Sequence, residues 1–174
     1  MLPTKIIAKM LEALKDIDHV NYVRIGTRTP VVYPLRYFDD ELIKVLHDFN
    51  QHKTLYIPTH FNHSNEITKL SQEAVMRIPN AGITVNNQAV FLKGVNDTVQ
   101  DLKNLMNGLV RNDVNPCYLY QCMPVSRVRH HFQVPLKRGV TLCLKPSVVW
   151  TATPSASSSS WAMTSGKLRL WTQG

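Results

Sequence analysis

The chain has 174 residues, 44% hydrophobic and 18% charged, a composition that predicts one globular domain and argues against intrinsic disorder. No apolar run approaches the ~20 residues of a membrane-spanning helix and no secretion signal is evident, so we expect a cytoplasmic protein without membrane association. The net charge is +8, but residues 1–139 carry 17 basic and 12 acidic groups without a clustered stripe, which argues against nucleic-acid binding.

Amphipathic helices and strands alternate from the N-terminus onward. Apolar residues at i, i+3, i+4 spacing predict a helix over 5–17. Residues 20–25 are rich in β-branched and aromatic side chains, which predicts a strand. Asp39 is placed to cap a second helix that continues through Asn50.

The alternation continues with five more predicted elements: strand 54–58, helix 67–78, strand 83–92, helix 98–112 and strand 117–121. Strands that alternate with helices through short connections predict an α/β fold with a parallel sheet and outer helices. Right-handed crossovers leave two architectures, a doubly wound sheet or part of a (β/α) barrel. Both place their ligand sites beyond the carboxyl ends of the strands.

The first strand runs into a segment with two arginines. Arg24 and Arg28 flank Gly26, and guanidinium groups fit carboxylates and phosphates equally well. Surface charge around a turn glycine is an equally good interpretation of this segment alone.

The second predicted strand ends in a dense polar segment. His60, Asn62, His63, Asn65 and Glu66 fall within seven residues, just before a helix. A His-x-x-His pair resembles half of a zinc site, but no nearby cysteine or second histidine pair completes it. Isolated histidines are usually structural, yet this density at a strand end favours a polar ligand pocket.

The third and fourth strands add further polar groups. Asn87 and Gln88 carry amides that suit neutral polar ligand edges, whereas Gly94 and Asn96-Asp97 suit a turn and a helix cap, and a structural role is favoured for them. The basic run 126–132 after the last strand fits either a phosphate or solvent, and the solvent-facing interpretation is favoured. Three cysteines, Cys117, Cys122 and Cys143, have spacings that match no common zinc or iron–sulfur pattern, so we expect buried or free thiols.

Five segments resemble, in order, segments of the lysine 2,3-aminomutase family of radical S-adenosylmethionine (SAM) enzymes. The resemblance covers about residues 2–139 and lies in VRIGTRTPVVYPLR (23–36), THFNHSNEIT (59–68), NAGITVNNQAVFLKGVND (80–97), PCYLYQCMPV (116–125) and RVRHHFQVPLKRG (127–139). It implies an isomerase activity and, as the fold, a partial radical-SAM (β/α) barrel over 1–139. The family's cofactors are a [4Fe–4S] cluster, SAM and pyridoxal phosphate (PLP).

The family's chemistry is implied with it. The cluster cleaves SAM to a 5′-deoxyadenosyl radical, which removes hydrogen from an amino acid held as an aldimine of PLP, and the amino group migrates between carbons 2 and 3. The resemblance places His60 and Gln88 along SAM and Tyr120 near PLP. With the strand-end residues, it gives a predicted cofactor-binding set: His60, Asn62, His63, Asn87, Gln88, Tyr120, Arg24 and Arg28.

Departures from the family pattern qualify these expectations. Lysine-acting members carry an aspartate for the substrate ammonium where this chain has Met123, so lysine is not assigned as the substrate. The family's CxxxCxxC motif is absent from this sequence, so we expect a C-terminal half of the barrel that binds no cluster and is inactive alone. The full-length protein is compatible with a homo-oligomer.

Two alternatives remain beside this interpretation. The half-barrel is a non-catalytic binding module for SAM-like or phosphate-bearing ligands, or it is a cluster-independent enzyme that uses His60, His63 and Glu66 as acid–base groups. The second requires a nucleophile or metal that the sequence does not offer.

The composition changes after Gly139. Residues 140–174 are rich in Ser, Thr and Trp, which predicts an irregular tail, and a low-complexity linker is the ordinary explanation. One choice of codons for residues 150–174, read from the third base, encodes DGYAKRFIIIMGHDIGKIAFVDPG. That peptide resembles a family C-terminal segment whose lysine anchors PLP, so we predict a frame error between about residues 139 and 150. No PLP lysine is assigned in the sequence as it stands.

Overall fold

The computed structural model describes residues 1–123, 129–143, 159–164 and 167–172. Its helices and strands, in chain order, are α1 (Thr4–Lys15), β1 (Tyr22–Arg24), α2 (Thr29–Val32), α3 (Asp40–Asn50), β2 (Thr54–Thr59), α4 (Lys69–Asn80), β3 (Thr84–Phe91), α5 (Val99–Arg111), β4 (Val114–Gln121), α6 (Arg129–Phe132), α7 (Leu136–Cys143), β5 (Ser159–Thr164) and β6 (Lys167–Thr172). Short 3₁₀ helices occupy Pro34–Phe38 and Ser64–Glu66. Within the described residues, no helix is both long and apolar enough to cross a bilayer.

The strand order decides between the two predicted architectures. Strands β1 to β4 are parallel and lie in chain order, with β1 hydrogen-bonded to β2, β2 to β3 and β3 to β4. A doubly wound sheet requires a reversal of strand order, which this run lacks. With right-handed crossovers, helices that connect successive neighbours all pack on the same face. The parallel sheet is therefore part of a β/α barrel, as predicted.

Burial along the strands distinguishes the two faces of the sheet. Val85, Asn87, Ala89 and Phe91 of β3 are buried, while the residues between them are half-buried. Because successive side chains of a strand point to opposite faces, the buried set faces the helices. We call the other side the inner face, since it would line the interior of a barrel.

The hydrophobic core lies between the sheet and its helices. It packs strand residues such as Leu55, Ile57 and Leu119 against Phe49, Ile78 and other helix residues that are almost fully buried, including Leu46, Ala74, Leu102, Leu105 and Leu109. At about 25 cal/mol per Å² of apolar surface, such burial is the main force that holds the helices against the sheet. The i, i+3, i+4 spacing predicts most of these helix residues, but Leu70 of α4, predicted to be buried, is 41% exposed, and buried Leu105 of α5 is not predicted.

Side-chain caps fix where the helices begin. Asp39 accepts hydrogen bonds from the backbone N–H groups of Glu41 and Leu42, as predicted for α3. Thr68 and Thr98 cap α4 and α5 through the same kind of bond. The start of α4 thus lies two residues later than the predicted start at 67, because Thr68 satisfies the first N–H groups instead.

Strand β4 begins three residues earlier than predicted and contains a bulge. Asn87 pairs with Pro116 and Gln88 with Tyr118, so Cys117 is an extra residue in β4. Proline cannot donate a ladder hydrogen bond, which is why it sits at an irregularity of the sheet.

The predicted boundary after Gly139 falls inside α7, which ends at Cys143. Farther along, β5 and β6 pair antiparallel with each other, and β6 pairs antiparallel with β4. Residues 144–150, which form most of the segment predicted to contain the frame error, lie outside the described residues, as does much of the predicted tail.

Candidate active site on the inner face of the sheet

His60 directly follows β2, at the level of Gln88 in the neighbouring strand β3. Thr59 at the end of β2 pairs with Asn87 of β3, and His60 and Gln88 are the residues that follow this pair. Both side chains are half-buried, and each alternates with a buried neighbour that faces the helices. Parallel register and alternation therefore place the two side chains side by side on the inner face.

The imidazole of His60 has an unsatisfied nitrogen. Its Nε2 atom is buried and has no hydrogen-bond partner, and the hydroxyl of Thr59 shares that condition. Burial lowers the pKa of His60, and the positive charge of Arg28 lowers it further, while Glu66 and Asn62 act in the opposite direction. The ring is therefore neutral near pH 7, with one nitrogen available to a ligand.

Tyr118 and Tyr120 extend this surface along β4. Gln88 pairs with Tyr118 and Val90 with Tyr120, and the two phenol rings are tilted with centroids 5.6 Å apart. Burial raises the pKa of Tyr120, with smaller contributions from Tyr118 and Cys117, while Arg24 lowers it. The phenol of Tyr120 is thus neutral near pH 7 and is able to donate a hydrogen bond.

Glu66 ties two predicted site segments together. One carboxylate oxygen accepts from the guanidinium of Arg28 at 2.5 Å, and the other accepts from the backbone N–H groups of Asn62 at 2.5 Å and His63 at 3.1 Å. Through these bonds Glu66 connects the segment after β1 to the segment after β2.

Arg28 has a neighbouring cavity of about 510 Å³. Its lining includes Arg28, Asn62, His63, Glu66 and Gly94, so it lies beyond the carboxyl ends of β2 and β3. The Arg28 side chain is 44% exposed while its guanidinium pairs with Glu66, which leaves part of the side chain accessible.

His63 has a structural role in the loop after β2. Its Nδ1 accepts from the backbone N–H of Asn65, which caps the 3₁₀ helix Ser64–Glu66. Its Nε2 lies 3.7 Å from Asp101 at the start of α5. The side chain thus connects the loop to α5 rather than to the inner face.

Two asparagines of the predicted cofactor-binding set brace the backbone. Asn87 is 1% exposed and bonds through both amide atoms to the backbone of Phe61. The side chain of Asn62 accepts from the N–H of Val90 at 2.8 Å. Asn87 lies on the helix-facing side of β3, and its polar atoms are occupied, so it does not line the inner face.

The structure thus brings together part of the predicted set. His60, Gln88 and Tyr120 share the inner face, and Arg24 and Arg28 contribute charge beside Tyr120 and His60 respectively. Sequence reasoning assigned no site role to Tyr118, although its alternation with Tyr120 across one residue is the signal that places both on one face. It also missed the bracing role of Glu66.

Two further expectations concern metal and substrate. Among the residues that the structure describes, no group of three or more His, Cys, Asp or Glu side chains is arranged to hold a metal ion. Cys122 is buried, and Met123, which stands where lysine-acting relatives are expected to carry an aspartate, is 72% exposed.

Comparisons with known proteins identify the family. No family model matches the chain. A putative L-lysine 2,3-aminomutase of Aquifex aeolicus (strain VF5) is 42% identical over 133 residues, which are 76% of this chain and 35% of that protein. The L-lysine 2,3-aminomutase of Clostridium subterminale is 44% identical over 133 residues, 76% of this chain and 31% of that protein. The glutamate 2,3-aminomutase of Clostridioides difficile (strain 630) is 42% identical over 121 residues, 70% of this chain and 28% of that protein.

The chain spans about a third of the length of the curated relatives it matches. Lysine and glutamate enzymes are similar to it to the same degree, so similarity alone does not separate the two substrates. High identity over three-quarters of the sequence, with a partial β/α barrel as its fold, shows that this chain belongs to the lysine 2,3-aminomutase family.

Proposed function

We propose that this chain forms the part of a radical SAM 2,3-aminomutase that holds SAM and PLP against the inner face of the barrel. The observation that carries the proposal is the buried, unpartnered Nε2 of His60 beside Gln88. Leaving a buried polar atom unpaired costs free energy, about 1–3 kcal/mol by mutational measures. A protein that keeps such an atom at the end of a strand gains from a ligand that completes its hydrogen bonding.

The charge state of His60 suits SAM in particular. SAM carries a sulfonium cation, and a protonated imidazole would repel it. Burial and the nearby Arg28 lower the pKa of His60, so the ring is neutral near pH 7 and binds through a hydrogen bond. The amide of Gln88 donates and accepts at the same register position, which matches the polar edges of an adenosine.

The proposed PLP contacts, Arg24 of β1 and Tyr120 of β4, lie on the strands that flank β2 and β3. The neutral phenol of Tyr120 donates a hydrogen bond, and the guanidinium of Arg24 acts on it electrostatically from β1. Arginine forks suit phosphate, so Arg24 is the proposed phosphate contact. In the family, SAM and PLP supply the radical and electron-sink chemistry of amino-group migration, while protein groups orient them and exclude water.

We further propose that the chain does not catalyse the reaction alone. A [4Fe–4S] cluster needs a set of thiolate ligands, and the three cysteines of this sequence do not have the family's spacing. Iron and sulfide analysis after anaerobic reconstitution tests this point. Stoichiometric iron with a broad cluster absorbance would contradict it.

The substrate is proposed to be an amino acid without a distal ammonium group. Met123 has no charge to pair with an ammonium, and at 72% exposure it leaves no buried anionic partner at that position. Lysine is therefore disfavoured as the substrate.

Calorimetry of SAM binding to the full chain tests the proposed function. His60→Ala and Gln88→Ala should each weaken SAM binding by about tenfold, the effect of losing about 1.4 kcal/mol. His52→Ala is the matched control, because His52 is an exposed histidine that precedes the amino end of β2. SAM affinity that survives both inner-face substitutions would overturn the proposal.

A non-catalytic binding module is the second candidate. It is favoured by the helix-covered core of the described residues, which does not depend on any cluster. Under this hypothesis SAM binds as above, but a longer chain that includes the family's cluster motif forms no rearranged amino acid. Product formation by such a chain would decide for the aminomutase.

A further inference from the structure

The segment that carries His60 leaves the sheet immediately after β2. Strand β2 ends at Thr59, so the backbone groups of residues 61–62 no longer bond to a neighbouring strand. Buried backbone N–H and C=O groups almost always find partners, and here side-chain amides provide them. The element that carries these side-chain amides is therefore the element that holds the loop in place.

Asn87 replaces the missing ladder at Phe61. Its Oδ1 accepts from the N–H of Phe61 at 2.7 Å, and its Nδ2 donates to the carbonyl of Phe61 at 3.0 Å. Phe61 and Asn87 are each 1% exposed, so water cannot substitute for either bond.

Asn96 performs the same task one residue later. Its Nδ2 donates to the carbonyl of Asn62 at 2.7 Å and to that of Val90 at 2.8 Å, and its Oδ1 accepts from the N–H of Leu92 at 2.8 Å. The side chain is 0% exposed, and both of its amide hydrogens are used. The side chain of Asn96 thereby connects the loop after β2 to the end of β3.

Both braces come from β3 and the turn that follows it, the element that also carries Gln88. Asn87 is adjacent to Gln88 in the chain, and its bonds to Phe61 lie one residue from His60. The separation between His60 and Gln88 is therefore set by two side chains that never reach the inner face. A ligand that touches both residues depends on this separation, since a displacement of about 1 Å can cost up to 10²-fold in a positioned site.

We propose that Asn87 and Asn96 are positioning residues, whose amides hold the segment after β2 so that His60 and Gln88 face one ligand at a fixed separation. The proposal rests on the proposed SAM site for its ligand, but its geometric part concerns this chain alone. A merely structural role would lower stability without a specific effect on His60.

The test compares Asn87→Ala with Asn112→Ala in the full chain. Asn112 is the matched control, because its Nδ2 also donates to a backbone carbonyl, that of Gly108 at 2.7 Å, but at the far end of α5. NMR titration of the histidine rings is the readout. In Asn87→Ala the pKa of His60 should rise toward its ordinary value as the loop opens to water, while Asn112→Ala should leave it unchanged.

SAM affinity gives the second readout. We expect a loss of at least about tenfold for Asn87→Ala and no significant loss for Asn112→Ala. If the parent chain binds no SAM, the proposed function fails, yet the His60 titration still decides the positioning role. An identical His60 titration in both variants would overturn the proposal.

Hydrogen exchange of the parent chain covers the case in which Asn87→Ala does not fold. The N–H of Phe61 should exchange as slowly as that of Val90 in β3, because each donates to a side-chain amide, Phe61 to Asn87 and Val90 to Asn62. Exchange of Phe61 at the rate of an open loop would overturn the proposal without any substitution.

Discussion

Gly108→Ala tests how the loop after β2 rests on α5. An ideal Cβ on Gly108 would lie 2.5 Å from Cδ1 of Ile67 and 3.9 Å from its Cγ1. Carbon atoms in contact prefer about 3.5–4.0 Å, so the Cδ1 methyl group of Ile67 must move by about 1 Å. Ile67 follows Glu66 in the loop after β2.

The net effect combines two opposing contributions. Alanine is favoured over glycine inside a helix by about 0.8–1.0 kcal/mol, whereas overpacking costs about 1–3 kcal/mol. We therefore expect Gly108→Ala to lower the free energy of unfolding by up to about 2 kcal/mol. Ile67→Val deletes Cδ1, the atom that clashes, so in that background Gly108→Ala should raise the free energy of unfolding by up to about 1 kcal/mol.

Urea denaturation of the four chains, followed by circular dichroism, measures this cycle. The expected coupling between the two positions is about 1–3 kcal/mol, well above the few tenths expected for independent sites. If Gly108→Ala changes the free energy of unfolding by the same amount with isoleucine and with valine at position 67, the contact between positions 67 and 108 does not stabilise the packing of the loop on α5.

Three further predictions concern acid stability and the coding sequence. Folding lowers the pKa of His60, so the unfolded chain takes up the proton first as the pH falls. The free energy of unfolding should therefore decrease below about pH 6.5. Urea midpoints measured between pH 8 and 5 should show this decrease for the parent and for His52→Gln, and a smaller decrease for His60→Gln. The hydrogen bond from Thr4 and the pairing with Arg36 lower the pKa of Asp39, so its stabilisation is present above about pH 3.9 and is lost as the pH falls through the folded pKa. Asp39→Asn should therefore flatten the acid limb of stability below about pH 4, and an unchanged limb would show that the Thr4–Arg36–Asp39 cluster is not coupled to folding. Finally, the coding DNA for residues 150–174 should encode a family-like peptide in its third frame, and stop codons in that frame would contradict the predicted frame error.

Much of the fold follows from periodicity alone. The spacing of apolar residues predicts α3 and α5 because each of these helices buries one stripe against the sheet. It also predicts α1, although Ile6 and Met10 on the apolar face of that helix are exposed. The choice between a doubly wound sheet and a barrel does not follow, since it depends on strand order, which no local pattern contains. Strand β4 was predicted too short because Pro116 interrupts the strand pattern, and only the pairing with β3 shows that the chain accommodates it through a bulge.

The positions of the candidate site residues follow from the sequence more readily than their individual contacts do. Parallel strands bring His60 and Gln88 to one edge, and this expectation follows from any β/α arrangement. Asn87 and Gln88 are both predicted to contact a cofactor, but adjacent residues of a strand face opposite sides, and of the two only Gln88 lies on the inner face. The bonds that join Glu66 to Arg28 and Asn96 to Asn62 span 38 and 34 residues, and such separations carry no local signal.

The inner-face ligand site is tested most directly by NMR mapping of SAM binding to the full chain. Addition of SAM should shift the side-chain amide of Gln88 and the ring resonances of His60, with little change at His47 and His52, which precede β2 in the chain. Shifts confined to those other histidines, or none at Gln88 in a folded chain at saturating SAM, would contradict the site.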